Sequence, residues 1–314
     1  MTPLLKPHAV APGAAIGIVA PASSAKVERI ESGLSALQSL GFAPRPGAHV
    51  LLREPLYFAG TAAERLADLH AAFTGPETSA VMALRGGYGS NYLLAGLDLA
   101  AIAAHPKPFF AYSDLTAIQT RLLDQIGLPA FHGPMLAADF FLEDGVHLES
   151  FHAAITGQPY TVDAAEGLRA LRPASAGKAV TGTLYGGCLS ILAALVGTPW
   201  EPATENKLLF LEDVAAKPYQ VDRMLWQLRA AGKLAGVRGI VFGEMLDCAQ
   251  PGAEPDLLDR AILSALDGLD IPIAIGLRSG HVSRQNVTLT LGVAAELAVG
   301  DEASLTLLEP AATK

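Results

Sequence analysis

Short apolar runs that stop at polar residues, each followed by a helical stripe, constrain this chain more than any other feature. Residues 14–20 form the first run, and a continuous apolar stretch of that length reads as a strand buried on both faces. After Pro21 and two serines, Val27, Ile30, Leu34, Leu37 and Leu40 recur at helical spacing, with Gly41 placed to end the helix. Thr61 and Glu64 make a capping-box signature ahead of Leu66, Leu69 and Phe73. Residues 79–84 read as the next strand. They run into the glycine-rich turn Arg85-Gly-Gly-Tyr-Gly89, and a helix is expected over 91–97. A strand at 108–112, a helix at 115–126 and a strand at 129–133 complete the half. Strands alternating with helices imply a parallel sheet covered on both faces, an α/β fold.

The second half repeats the alternation and then changes. Strands are expected at 180–184, 207–212, 237–242 and 272–275, with helices ending near Val196 and spanning 219–231. Residues 287–291 and 296–308 read as an antiparallel end, with Gly300-Asp301 as its turn. Between the halves the periodicity fades, and Gly157-Gln-Pro159 and residues 172–177 are rich in turn formers. The resulting division is an N-terminal domain over 1–155, a linker over 156–178 and a C-terminal domain over 179–314. Two domains suit 314 residues, of which 51% are hydrophobic and 17% charged.

Charge and composition exclude several functions. The net charge is −9 and no Lys/Arg run occurs, so the electrostatic footprint of a nucleic-acid or anionic-membrane partner is missing. Cys188 and Cys248 form no C-x-x-C pair, and no H-E-x-x-H occurs, so neither a metal nor a disulfide framework is expected. A dinucleotide fingerprint would need glycine where Tyr92 stands, and no Walker A sequence exists, so no cofactor is expected. The apolar stretch over 9–25 is broken by Pro12, Gly13 and Pro21, which argues against a signal peptide. No run approaches the ~20 residues of a membrane span. A cytoplasmic enzyme acting on a small molecule fits these facts.

Ligands of open parallel sheets bind at the carboxyl ends of the strands. The polar residues there are Arg85 with its glycines, Ser113-Asp114, His132, Glu212-Asp213, Glu244 and His281. Ser113 lies between an apolar strand and a helix, the setting of a nucleophile elbow. The glycines of G-x-S-x-G are replaced by Ala111 and Leu115, and a helix-capping serine has the same local pattern. A serine needs a base, and both His132 and His281 follow apolar strands. Glu212, ending the strand Leu-Leu-Phe-Leu, is the best acid to orient the histidine, because a carboxylate there is costly unless paired. Gly86 and Gly87 permit a turn with exposed amides. Gly186 and Gly187 fit close helix–strand packing.

Taken together, Gly17-Ile-Val-Ala-Pro-Ala22, Arg85-Gly-Gly-Tyr-Gly89, Tyr112-Ser-Asp-Leu-Thr116, Tyr185-Gly-Gly-Cys-Leu-Ser190, Gly197-Thr-Pro199, Phe210-Leu-Glu-Asp-Val214, Tyr219-Gln-Val-Asp-Arg223 and Gly280-His281 resemble, in order, the LD-carboxypeptidase (muramoyltetrapeptide carboxypeptidase) family. The resemblance covers nearly the whole chain. It implies a flavodoxin-like parallel-sheet N-terminal domain and a smaller C-terminal α/β domain with a β-rich end. It also implies a triad of Ser113 as nucleophile, Glu212 as orienting acid and His281 as base. Oxyanion donors are implied near Gly86, Gly87 and Asp114. Arg85 is a candidate anchor for a substrate carboxylate. The implied activity is release of the terminal D-Ala from murein tetrapeptide in cell-wall recycling, by a homodimer. Cys188 stands where the family has Asn, which puts in question any hydrogen bond of that side chain. Two alternatives stand beside this reading. One is a microcin C immunity-type serine hydrolase of peptidyl-nucleotides, for which Trp200 would be the base platform. The other is a non-catalytic ligand-binding α/β protein.

Overall fold

The computed structural model describes residues 3–54, 56–173, 179–249, 252 and 254–313. The chain forms two compact units. The first comprises Met1–Gln158, Arg284–Gly292 and Pro310–Lys314. Its strands are β1 (Ala15–Val19), β2 (Ala43–Pro46), β3 (Ala80–Ala83), β4 (Phe109–Ala111) and β5 (Ala130–His132). They pair in parallel in the spatial order β5-β4-β3-β1-β2. That is the flavodoxin-like order. The predicted parallel sheet is therefore present, with one strand, β2, that the sequence reading missed. Its Ala-Pro-Arg-Pro sequence suits an edge, since proline donates no ladder hydrogen bond.

The helices of this unit are α1 (Val27–Ser39), α2 (Ala62–Thr74), α3 (Leu99–Ala104), α4 (Thr116–Ile126) and α5 (Leu148–Ile155). The α2 capping box forms: Thr61 N–H donates to Glu64 Oε2 at 2.9 Å, and Glu64 N–H donates to Thr61 Oγ1 at 3.3 Å. Gly17 lets α2 pack close to β1, since a Cβ there would lie 3.0 Å from the Ala72 Cβ. Phe109, Phe110 and Phe131 are fully buried in the sheet, each worth roughly 1.5–3 kcal/mol of apolar burial. The helix expected over 91–97 is instead a stretch of tight 3-10 turns, Ser90–Gly96. It is bounded by Gly89 at φ +118° and tied to Asp114 by its first amide.

The second unit comprises Pro159–Ser283 and Val293–Glu309. It holds β6 (Thr161–Val162), β7 (Arg169–Arg172), β8 (Val180–Cys188), β9 (Lys207–Glu212), β10 (Gly239–Gly243) and β11 (Ile273–Leu277). After β12 (Leu289–Leu291) come β13 (Ala294–Val299) and β14 (Ala303–Leu307). The sheet order is β6-β14-β13-β8-β9-β10-β11-β7. Strands β8 to β11 are parallel, and the edges are antiparallel. Its helices are α6 (Leu189–Leu195), α7 (Pro218–Ala230) and α8 (Leu257–Ala265).

Two sequence expectations are corrected here. The stretch read as a linker carries β6 and β7, which close opposite edges of the second sheet; residues 174–178 lie outside the described residues. Short edge strands bury one face only, so their apolar signal is weak. Residues 287–291 were expected to pair within the antiparallel end. Instead β12 joins the first unit, antiparallel to β5. The β13–β14 hairpin forms as expected about Gly300-Asp301. Among the described residues, no helix is long and apolar enough to cross a membrane.

Candidate active site

In the first unit, Ser113 follows β4 by two residues and precedes α4. It adopts φ +65°, a left-handed conformation that costs an L-residue roughly 1–2 kcal/mol. The side chain is half-buried. The N-cap position of α4 falls on Leu115, which makes no side-chain cap, so Ser113 does not serve as that cap. A sharp strand-to-helix turn of this kind holds a hydroxyl out at the end of the sheet, with helix amides behind it.

The glycine turn after β3 reaches the same place. A Cβ on Gly86 would lie 2.7 Å from the Ser113 Cβ and 2.9 Å from its Oγ, so only glycine fits. Gly87 has φ +111°, and a Cβ there would overlap Ser23. Ser23 fastens the turn: its N–H donates to Gly86 O at 3.3 Å, and its Oγ accepts from Tyr88 N at 3.1 Å. Asp114 fastens the far side, where Oδ2 accepts from Ser90 N at 2.8 Å and Ser90 Oγ donates to the Asp114 carbonyl at 2.7 Å. Burial raises the Asp114 pKa above the ordinary carboxylate value. Hydrogen bonds from Ser90 and Gly89 and the Arg65 charge oppose that rise. Arg65, itself buried, donates to the carbonyls of Pro21 at 2.7 Å, Gly89 at 2.9 Å and Gly60 at 3.2 Å. Desolvation lowers its pKa. Arg85 is half-buried and forms no hydrogen bond or ion pair among the described residues. Ser23, Arg65 and Ser90 escaped the sequence reading. An arginine at helical spacing from Leu69, Ala72 and Phe73, on the buried face of α2, was the one available signal.

In the second unit, Glu212 ends β9 and is completely buried. Its Oε2 lies 2.7 Å from His281 Nδ1 and accepts the His281 backbone N–H at 3.0 Å. An Nδ1–H donated to the carboxylate fixes the tautomer and leaves the imidazole's basic lone pair on Nε2. Two glycines make room for the pair. A Cβ on Gly243 would approach the Glu212 Cβ to 2.7 Å, and one on Gly280, at φ +91°, would approach its Cδ to 2.6 Å. Glu244 Oε2 accepts from Ser283 N at 2.9 Å and so holds the chain just past His281. The His281 side chain keeps 20% of its surface exposed.

Cys188 pairs with Glu212 across the β8–β9 ladder and is buried. Burial, then the charges of Glu212 and Asp213, hold its thiol well above the usual range, so it is no thiolate nucleophile. Its Sγ sits 3.3 Å from Ser190 Oγ. Asp213 accepts the Ser190 amide at 2.8 Å, and burial raises its pKa. His132 is wholly buried at the end of β5, its ring 5.9 Å from Tyr112. His281 is in contact with a completely buried carboxylate, that of Glu212. Trp200 is half-buried, its amide on Thr198 Oγ1 at 3.2 Å. Gly186 and Gly187 lie inside β8 with φ +141° and +132°, where a Gly186 Cβ would overlap Phe210 of β9. They thus serve strand–strand contact. Among the described residues, no group of His, Cys, Asp and Glu is arranged to hold a metal ion.

Known proteins share this organisation. Residues 16–133 match the family model described as LD-carboxypeptidase N-terminal domain, and residues 181–297 the model described as LD-carboxypeptidase C-terminal domain. The "Probable murein peptide carboxypeptidase" of Bacillus subtilis (strain 168) is 36% identical over 301 residues, covering 96% of this chain and 93% of that protein. The solved muramoyltetrapeptide carboxypeptidase from Oxalobacter formigenes superposes with TM-score 0.81 at 30% identity, covering 93% of this chain and 98% of that one. An MccF-like protein from Bacillus anthracis str. Ames superposes with TM-score 0.87 at 26% identity, covering 96% and 99%. Both family domains in order, with a relative aligned along nearly the whole length, give one conclusion: the chain belongs to the LD-carboxypeptidase family and is a serine-type peptidase.

Proposed function

We propose that this enzyme releases the terminal D-Ala from murein tetrapeptide, with Ser113 as nucleophile, His281 as general base and Glu212 as the acid that orients it. The observation that carries the reading is the 2.7 Å bond from His281 Nδ1 to the buried Glu212, the acid–histidine half of a triad. The positive-φ turn at Ser113 supports the other half. His281 Nε2 takes the Ser113 proton as Oγ attacks the carbonyl preceding D-Ala. Amides of the Gly86-Gly87 turn and of Asp114 stabilise the oxyanion. The imidazolium then protonates the leaving amine, and the C–N bond breaks. Water, deprotonated by the same histidine, hydrolyses the acyl-enzyme and restores Ser113.

Arg85 is assigned the D-Ala carboxylate, because a half-buried guanidinium without an internal partner is suited to a charge-assisted, two-pronged contact. We place the reaction in the cytoplasm, on recycled wall peptide, and expect a homodimer. The MccF-like neighbour favours a second reading, hydrolysis of a peptidyl-nucleotide by the same residues. Incubation with L-Ala-D-Glu-meso-diaminopimelate-D-Ala and with a peptidyl-adenylate analogue separates the two, with D-Ala measured in one and nucleotide in the other. The murein reading expects D-Ala release that disappears in Ser113→Ala. Retained release in that variant would remove Ser113 from its role, and nucleotide release alone would favour the second reading.

A further inference from the structure

In the first unit, Tyr57 and Phe58 on one segment and Tyr88 and Tyr92 on another form a single aromatic cluster. Ring centroids lie 5.2 Å apart for Tyr57–Phe58, 5.4 Å for Tyr57–Tyr88, 5.7 Å for Phe58–Tyr92 and 6.1 Å for Tyr88–Tyr92. Those are contact distances for ring pairs. They leave no space between rings for a cation, so the cluster is a platform and not a cage. It is also open: Tyr57 is 54% exposed, Tyr88 42%, Tyr92 58% and the neighbouring Leu56 69%. These residues border a cleft of about 590 Å³, within the ~300–1,000 Å³ of small-ligand clefts.

The floor is fixed and its charge is spent. The Arg65 guanidinium lies 4.9 Å from the Phe58 ring centroid and is engaged with three backbone carbonyls. No other cation borders the cleft among the described residues, so an anionic ligand finds no counter-charge. A ligand with one apolar face and hydroxyl edges matches exposed rings that carry phenol groups. Tyr88 is two residues from Gly86, at most about 8 Å along the chain. The three residues of a tetrapeptide stem that precede its D-Ala span roughly 10–11 Å when extended. In murein the far end of that stem carries an amino sugar.

We infer that the Tyr57–Phe58–Tyr88–Tyr92 platform is a saccharide subsite that takes the amino sugar of a muropeptide while the stem lies along the glycine turn. The inference rests on the murein reading for its substrate class. The test compares kcat/KM for the free tetrapeptide and for the same peptide on its N-acetylglucosaminyl-N-acetylmuramyl disaccharide, in wild type, Tyr57→Ala and Tyr92→Ala. A preference for the sugar-bearing substrate of roughly tenfold is expected, the size of one stacking contact. Each variant should lose most of it and keep the free tetrapeptide within about twofold of wild type. Equal kcat/KM for both substrates in the wild type would overturn the inference. So would variants that lower both substrates alike, or variants that change sedimentation from dimer to monomer and leave the preference intact. A separate titration of the peptide-free disaccharide into Ser113→Ala, followed by tyrosine fluorescence, keeps the question distinct from catalysis. If no tetrapeptide is cleaved, binding that Tyr92→Ala abolishes upholds the subsite although the murein reading fails. Absence of binding, or binding of an adenosine analogue alone, overturns the subsite.

Discussion

The two units each hold a histidine bonded to a carboxylate, with nearly the same geometry. His281 Nδ1 lies 2.7 Å from Glu212 Oε2, and His49 Nδ1 lies 2.8 Å from Asp68 Oδ1. In both pairs the acid also accepts the histidine's own backbone N–H, at 3.0 Å and 2.8 Å. Both acids are buried and both rings partly exposed. Glycines stand at both, since a Cβ on Gly47 would come within 2.5 Å of Asp68 Oδ2. The pair geometry therefore does not by itself mark a base. What separates the two is their setting. Glu212 closes β9 after four apolar residues, Leu208 to Leu211, and Gly280 presses on it. Asp68 sits on a helix, α2, and His49 in the loop after the edge strand β2. The second pair reads as a device that pins that loop to α2.

The largest effects should fall on one pair only. His281→Ala is expected to lower kcat for D-Ala release by a thousandfold or more, as is typical when a triad base is removed, while His49→Ala leaves steady-state kcat and KM within about twofold. Equal losses in the two variants would erase the distinction. Glu212→Gln should cost roughly a hundred- to ten-thousandfold in kcat through the wrong imidazole tautomer, with KM little changed. A variant near wild type would mean that the buried acid is structural.

A smaller effect tests the glycine turn. Gly86→Ala should lower kcat by about a hundredfold, the cost of losing one oxyanion donor, because its methyl collides with Ser113. Rapid kinetics of acylation would show it; unchanged acylation would place the oxyanion elsewhere. The smallest effects concern stability. Burial raises the Asp114 pKa in the folded protein, so the unfolded chain gives up that proton first. The group's contribution is fully present below the ordinary carboxylate pKa and is lost as pH rises through the raised folded value. Urea midpoints between about pH 3 and pH 7 should fall with pH more in wild type than in Asp114→Asn; parallel profiles would contradict the assignment. His49→Ala should cost about 1 kcal/mol by the same measurement, the worth of one partly exposed hydrogen-bonded contact.

Much of this was legible in the sequence because burial writes a period. Apolar runs announced β1, β3, β4, β9 and β10, and the stripe with Thr61 and Glu64 announced α2. Elements that bury little were illegible: β2 with its two prolines, and β6 and β7 inside the expected linker. The site was half legible. Glu212 ends a strand and Ser113 and His281 follow strands, yet local pattern left Ser113 indistinguishable from a cap and His132 equal to His281. Ordered family motifs chose among them.

Strand and helix order, the absence of a basic footprint and the polar residues at strand ends were determined by the sequence alone, because each depends on neighbours a few residues apart. Contacts between distant segments were decided by tertiary structure. It put β12 beside β5, gave Ser113 a positive φ against Gly86, and bonded Glu212 to a histidine 69 residues away. Nothing local encodes which buried carboxylate meets which imidazole. That choice follows from the packing of β9 against the loop after β11, where Gly243 and Gly280 make room for Glu212.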